Sequence, residues 1–242
     1  MMKRFVFSIF LLPLLLASPQ TKAQGIMLTP KWTAQAQFTG YYVADKLGFY
    51  KEEGIDVCVQ HPAISESSFS FMEKGRAPVV IMNLSYAFME RLAGARVVNV
   101  MQTSQENSLM LISHSPLKGE ESLRNQKIAV WNHLSQKLLD RLAEHYALKQ
   151  VEWIRFNSGV NVFLSGAADP CLVGSYNEYL QLSEYGMNVD SIYSIRLADY
   201  GYNLPEDGLY VTEEFYNQYP EVVRKLVKAS MRGWAWTNRS EE

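Results

Sequence analysis

Cysteine is scarce in this chain of 242 residues: only Cys58 and Cys171 occur. Two thiols so far apart make neither a disulfide framework nor a Cys-x-x-Cys metal or redox pair. Histidine is nearly as rare, and His61, His114, His133 and His145 lack the spacing of a metal-ligand set. No G-x-S-x-G nucleophile turn and no phosphate-binding Walker loop is present. Charge of one sign is missing too. With 23 basic and 25 acidic side chains the formal net charge is -2, and no Lys/Arg run exists. That balance excludes the electrostatic footprint of a nucleic-acid-binding surface. These absences leave no catalytic set and no cofactor motif, so a non-enzyme without a cofactor is expected.

What is present begins with a targeting pattern. Lys3 and Arg4 precede an apolar run from Phe5 to Ala17, followed by polar Ser18-Pro19-Gln20. The run falls short of the roughly 20 residues that a membrane span needs. A basic start, a short apolar centre and small residues near Ala23 read as a secretory signal peptide over residues 1–23, cut before Gln24. The remaining chain, in a sequence 48% apolar, is long enough for one large core or two modest lobes.

Apolar runs and helical stretches then alternate. Ile26 to Leu28 reads as a strand, Phe38 to Leu47 as a helix closed by Gly48, and Ile55, Val57 and Val59 as a second strand. Further strands are expected at 79–82, 97–101, 109–113, 127–131, 151–156, 170–174, 192–196 and 208–211. Helices are expected between them, at 86–92 and 136–148 for example, with a last one from Pro220 through Trp234. This alternation predicts an α/β fold with parallel-rich sheets. Polar connections near Ser115 and near Asp199 predict two lobes. Residues 24–114 and 205–242 form the first, and residues 115–204 are inserted as the second. Cys58 and Cys171 then fall in different lobes and are expected as two buried free thiols.

The wording of Lys31 to Gln60, KWTAQAQFTGYYVADKLGFYKEEGIDVCVQ, resembles the opening of the periplasmic binding proteins related to yeast thiamine-pyrimidine synthases. The segments SGVNVFLSGAADPCLVGSYNEY and ADYGYNLPEDGLYVTEEFYNQYPEVVRKLV are similar to that family's later parts. The resemblance implies a type II, two-lobed periplasmic-binding-protein fold with a cleft between the lobes. It implies an extracytoplasmic receptor, a monomer in the periplasm that delivers a thiamine pyrimidine precursor or a vitamin such as riboflavin to an ABC transporter permease. A sensor or pyrimidine-synthase-like enzyme of the same fold is the alternative, as is a sulfonate- or nitrate-type receptor. Members of the family usually continue for several helices beyond the position of Glu242, so a shortened first lobe is expected.

A flat heterocycle needs aromatic faces and in-plane donors and acceptors. Strand-to-helix turns supply both: Trp32, Gln35, Gln37 and Tyr41 after the first strand, Asn83 and Ser85 after the third, Trp131 and Asn132 in the second lobe, and Tyr176, Asn177 and Glu178 near its end. The resemblance adds Ser65, where the family has a ligand-contacting turn; helix capping is its other reading. In the family small glycines often follow the tryptophan, and here Asn132 and His133 replace them. Core packing is the other reading of each aromatic. These turns hold few cations, which speaks against an anionic ligand.

Overall fold

The structure is a computed structural model, and residues 25–63, 66–117, 123, 125–131, 140, 143–144, 151–157 and 159–239 are described. The signal peptide read over 1–23, Ser65, Asn132, His133 and most of the helix expected over 136–148 lie outside them.

The chain opens as β1 (Ile26–Thr29), α1 (Thr39–Lys46), α2 (Phe49–Glu52) and β2 (Val57–Val59). Gly48 separates the two helices at φ 76, a left-handed turn that costs glycine little. Next come α3 (Ser68–Glu73), β3 (Val79–Asn83), α4 (Leu84–Leu92) and β4 (Val97–Gln102). Ser67 caps α3 by accepting the Ser70 N–H. The second group holds β5 (Leu109–Ser113), β6 (Lys127–Trp131), β7 (Glu152–Phe156), α5 (Asn161–Leu164), β8 (Cys171–Gly174), α6 (Glu178–Glu184) and β9 (Tyr193–Arg196). The chain closes with β10 (Asp207–Thr212), α7 (Glu213–Gln218) and α8 (Pro220–Thr237).

Among the described residues the strands make two five-stranded sheets, in the orders β2-β1-β3-β10-β4 and β7-β6-β8-β5-β9. The layouts match: a parallel trio, an antiparallel fourth strand, then an edge. In each sheet the antiparallel strand adjoins a chain crossing. β10 brings the chain back into the first sheet, as expected. β5 corrects the expected boundary at residue 114. It pairs with β8 and β9, so the outward crossing lies between Gln102 and Leu109. The stretch after Ser115 and the crossing itself, Thr103 to Ser108, are equally polar and the crossing is shorter, so polarity alone does not place the boundary.

Cys58 corrects a second expectation. Val57 points inward on edge strand β2, and the period-two alternation sends Cys58 outward, where it is exposed. Cys171 is buried, and burial pushes its thiol up to about 12. Both thiols are free.

Helix α8 lies across α1, and glycine permits the approach. A Cβ on Gly40 would fall 2.3 Å from the Trp234 ring, and one on Gly233 would fall 1.9 Å from the Gly40 carbonyl oxygen. The Tyr50 and Ser230 hydroxyls, 3.0 Å apart, share a buried hydrogen bond across the same interface. Lys228 pairs with Glu53 at 2.7 Å and Arg232 with Glu52 at 2.6 Å at the rim. Such exposed pairs contribute little, so the backbone contact carries the docking. In an open helix Gly→Ala stabilises by up to about 1 kcal/mol. Here Gly233→Ala should instead destabilise by about 1–3 kcal/mol or more, the cost of overpacking. A urea melt that showed an unchanged or raised midpoint would remove the close approach from this account.

Candidate functional site

Strand direction assembles the site. β1 and β3 run parallel, so the turns after Thr29 and Asn83 emerge at one end of the first sheet. β10 runs against β3 with Asp207 opposite Asn83, which brings Glu206 and Asp207 to that same end. The second sheet repeats the device. β5 runs against β8 with Leu109 opposite Gly174, so Ser108 arrives beside the turn that opens α6. Ligands of open α/β sheets bind at the carboxyl ends of their strands, and here both crossings pass those ends.

Hydrogen bonds tie the pieces together. The Asp207 carbonyl accepts from the Thr103 N–H (3.0 Å), the Ser104 N–H (3.1 Å), the Thr103 hydroxyl (2.7 Å) and the Gln102 amide (3.0 Å). Its carboxylate pairs with Lys31 at 2.6 Å, and the Lys31 ammonium also donates to Asn83 Oδ1. Ser108 Oγ donates to Glu206 Oε2 at 2.9 Å, linking one crossing to the other. Asn107 donates its N–H to Asn203 Oδ1 at 3.0 Å and its side-chain amide to the Tyr202 carbonyl. From the second lobe, Ser175 N–H donates to the Ser108 carbonyl at 2.9 Å.

Of the expected site residues, Asn83 and Tyr176 adjoin this cluster. Trp32 is half-buried against the core of the first lobe. With Lys31, Thr33, Pro62, Ala63 and Glu66 it lines a shallow depression open to solvent. Gln35 precedes the short 3-10 turn Ala36–Phe38. Gln37 keeps its buried side-chain oxygen without a hydrogen bond among the described residues. Asn83 is spent on Lys31. Ser85 is exposed in the first turn of α4. Tyr176, from the second lobe, senses Glu206 and Asp207 of the return crossing. Burial first, then these carboxylates and Glu178, raise its phenol well above the usual range. Asn177 Oδ1 accepts from the Gln181 amide at 3.1 Å.

Three residues expected at the ligand are buried in this structure. Tyr41 is fully buried and packs edge-on against Trp234, ring centroids 5.8 Å apart. The helical period puts Phe38 and Tyr41 on the sheet side of α1 and leaves Tyr42 for the open side. Trp131 is 8% exposed and Glu178 is 6% exposed. They face each other, with Trp131 Nε1–H donating to Glu178 Oε1 at 3.1 Å. Gly174 N–H donates to Glu178 Oε2, also at 3.1 Å. Glu178 therefore spends both oxygens on its own lobe and holds the indole of β6 to the start of α6.

Four residues that the sequence reading passed over complete the site: Lys31, Ser108, Glu206 and Asp207. Only the antiparallel return of β10 brings the last two to Lys31, and no local spacing signals it. Burial raises the Glu206 carboxyl above its ordinary range, against the opposing pull of Lys31 and of the Ser108 hydrogen bonds. The folded chain then keeps a proton there that the unfolded chain has lost, so stability falls as pH rises through the window above about 4.3. Glu206→Gln, neutral at every pH, should be more stable than the unaltered chain at pH 7 and lose that advantage near pH 4. Urea melts at the two pH values check it, and a lower midpoint at pH 7 counts against the buried carboxyl.

The riboflavin-binding protein RibY of Chloroflexus aurantiacus is 29% identical over 230 residues, covering 90% of this chain and 64% of that protein. The formylaminopyrimidine-binding protein of Halalkalibacterium halodurans is 23% identical over 253 residues, covering 97% of this chain and 75% of its own. The periplasmic aliphatic sulphonate binding protein SsuA of Escherichia coli superposes with a TM-score of 0.69 at 13% identity, over 90% of this chain and 75% of that one. At that identity the likeness carries the fold alone: two α/β lobes of the type II periplasmic binding proteins. The chain thus spans 64% and 75% of the length of the two curated relatives. A family model described as NMT1/THI5 like matches residues 35–240. With two lobes, crossings at their strand ends and that match over most of its length, the chain belongs to the NMT1/THI5-like family.

Proposed function

We propose that this chain is the solute-binding component of an extracytoplasmic ABC importer, exported by residues 1–23. Its ligand is a small neutral heterocycle rich in N–H donors, of the pyrimidine or flavin kind, and its partner is the transporter's permease. The charge balance at the strand ends carries this reading. Lys31 is already engaged by Asp207 and Asn83, while Glu206 adds a further carboxyl. A sulfonate would meet carboxylates there and no unengaged ammonium from the β1 turn, and removing an anion from water without a partner is costly. A ring with N–H donors meets acceptors instead, beside the indole of Trp32 and the phenol of Tyr176. The relatives named for riboflavin and formylaminopyrimidine support the same ligand class.

Calorimetry on the exported chain should show heat with riboflavin or formylaminopyrimidine and none with an alkanesulfonate; the reverse order overturns the proposal. Mass spectrometry for newly formed pyrimidine phosphate tests the synthase-like alternative, which would make one. Stacking on an aromatic side chain is worth about 1–3 kcal/mol by alanine substitution in nucleic-acid systems. Trp32→Ala should therefore weaken binding by about ten- to a hundredfold. Its loss of folding stability should stay below the roughly 3–5 kcal/mol of a fully buried tryptophan. Unchanged affinity in that variant would assign Trp32 to packing.

A further inference from the structure

The turn Trp32–Gln35 has no regular secondary structure of its own, and Thr33 and Ala34 are exposed. Yet two side chains from elsewhere grip both of its ends. His61 stands just past β2, half-buried, where the chain leaves the sheet. Its Nδ1 is hydrogen-bonded to the Trp32 carbonyl, and its Nε2 lies 2.7 Å from the Tyr42 hydroxyl. The Gln35 backbone N–H is directed at the Tyr42 oxygen. The imidazole is wedged among rings, 5.5 Å from Phe38 and 5.9 Å from Tyr42 between centroids.

The proton positions follow from the partners. A carbonyl oxygen only accepts, so Nδ1 carries the hydrogen and donates it to Trp32. Neutral imidazole then has a lone pair on Nε2, which accepts the Tyr42 O–H. The Tyr42 oxygen keeps a lone pair for the Gln35 N–H. Every donor meets an acceptor along Gln35 N–H to Tyr42 O–H to His61, and on to the Trp32 carbonyl. The chain starts at one end of the turn and finishes at the other.

We propose that His61, acting with Tyr42, is a positioning residue that clasps the Trp32–Gln35 turn in its ligand-ready shape. The proposal rests on the binding reading above. Neither side chain needs to touch the ligand. Their work is to order the turn before binding, so that the cost of immobilising Trp32 and Gln35 is not subtracted from the affinity. Tyr42 serves because it occupies the side of α1 that Tyr41 does not, and His61 because β2 ends beside β1, with Gln60 N–H donating to the Leu28 carbonyl at 2.9 Å.

Hydrogen exchange on the exported, ligand-free chain tests the clasp itself. His61→Ala and Tyr42→Phe should each speed exchange of the Gln35 amide by at least tenfold, while amides of the β1–β3 ladder stay protected. His61→Asn, which keeps a donor near the Trp32 carbonyl, should fall between, and it covers the case in which His61→Ala fails to fold. Calorimetry with riboflavin and with formylaminopyrimidine tests the consequence. Each single variant should bind about tenfold more weakly at an unchanged melting midpoint. The double variant should bind no more weakly than the poorer single, because both break one chain of bonds. Unaltered Gln35 exchange in both single variants overturns the clasp. Unaltered affinity, in variants that still weaken on Trp32→Ala, overturns the positioning role and leaves the binding reading intact. If the unaltered chain binds neither probe, the binding reading and the positioning role both fall, and accelerated exchange would then show a structural clasp only.

Discussion

The buried Asp207 holds the site together. Its carbonyl gathers four donors, three from the outward crossing and one from Gln102 at the end of β4, and its carboxylate neutralises the lysine of the first strand-end turn. One residue thus fixes where the chain leaves the first lobe, where it returns and how the β1 turn sits against both. A carboxylate only 4% exposed is tolerated because an ammonium lies 2.6 Å away. Removing one partner of such a pair typically costs about 3–5 kcal/mol, since the other charge stays buried and uncompensated. The same pairing engages the lysine of the β1 turn, and the proposed preference for a neutral ligand rests on it.

Around that anchor the two lobes repeat one plan. Each sheet receives an antiparallel strand next to a crossing, and in each the arriving end meets the carboxyl end of a parallel strand. A polar cluster, rather than an apolar interface, therefore joins the lobes: Ser108 with Glu206, Asn107 with Asn203, and Tyr176 beside the carboxylates. Short polar connections suit relative motion of two rigid units, and the apolar cores stay within their own lobes.

The strands expected at 79–82, 97–101, 109–113, 127–131 and 208–211 were legible because each is a short, mostly apolar run between turn signals. Trp32 was placed correctly at a strand-end turn for the same reason. Tyr41 was not, because two adjacent tyrosines on one helix differ only by 100° of rotation, and the sheet decides which is covered. Trp131 and Glu178 were read as a face and an edge for a ligand, and they satisfy each other instead. Types that suit a ligand also suit each other, so residue type alone does not separate the two uses.

The amino-acid order by itself determined the alternation of strand and helix, the β-α-β opening, the break at Gly48, the start of the last helix at Pro220 and the likeness to a binding-protein family. Each of these rests on neighbours within a few residues, where periodicity and backbone preference act. Tertiary structure alone decided that β5 joins the second sheet, that Cys58 faces water, that Gly40 and Gly233 touch, and that Lys31 meets Asp207 across 176 residues of chain. Those outcomes depend on strand direction and close packing between distant segments. No local pattern records them, because the energy that fixes them arises only once the segments meet.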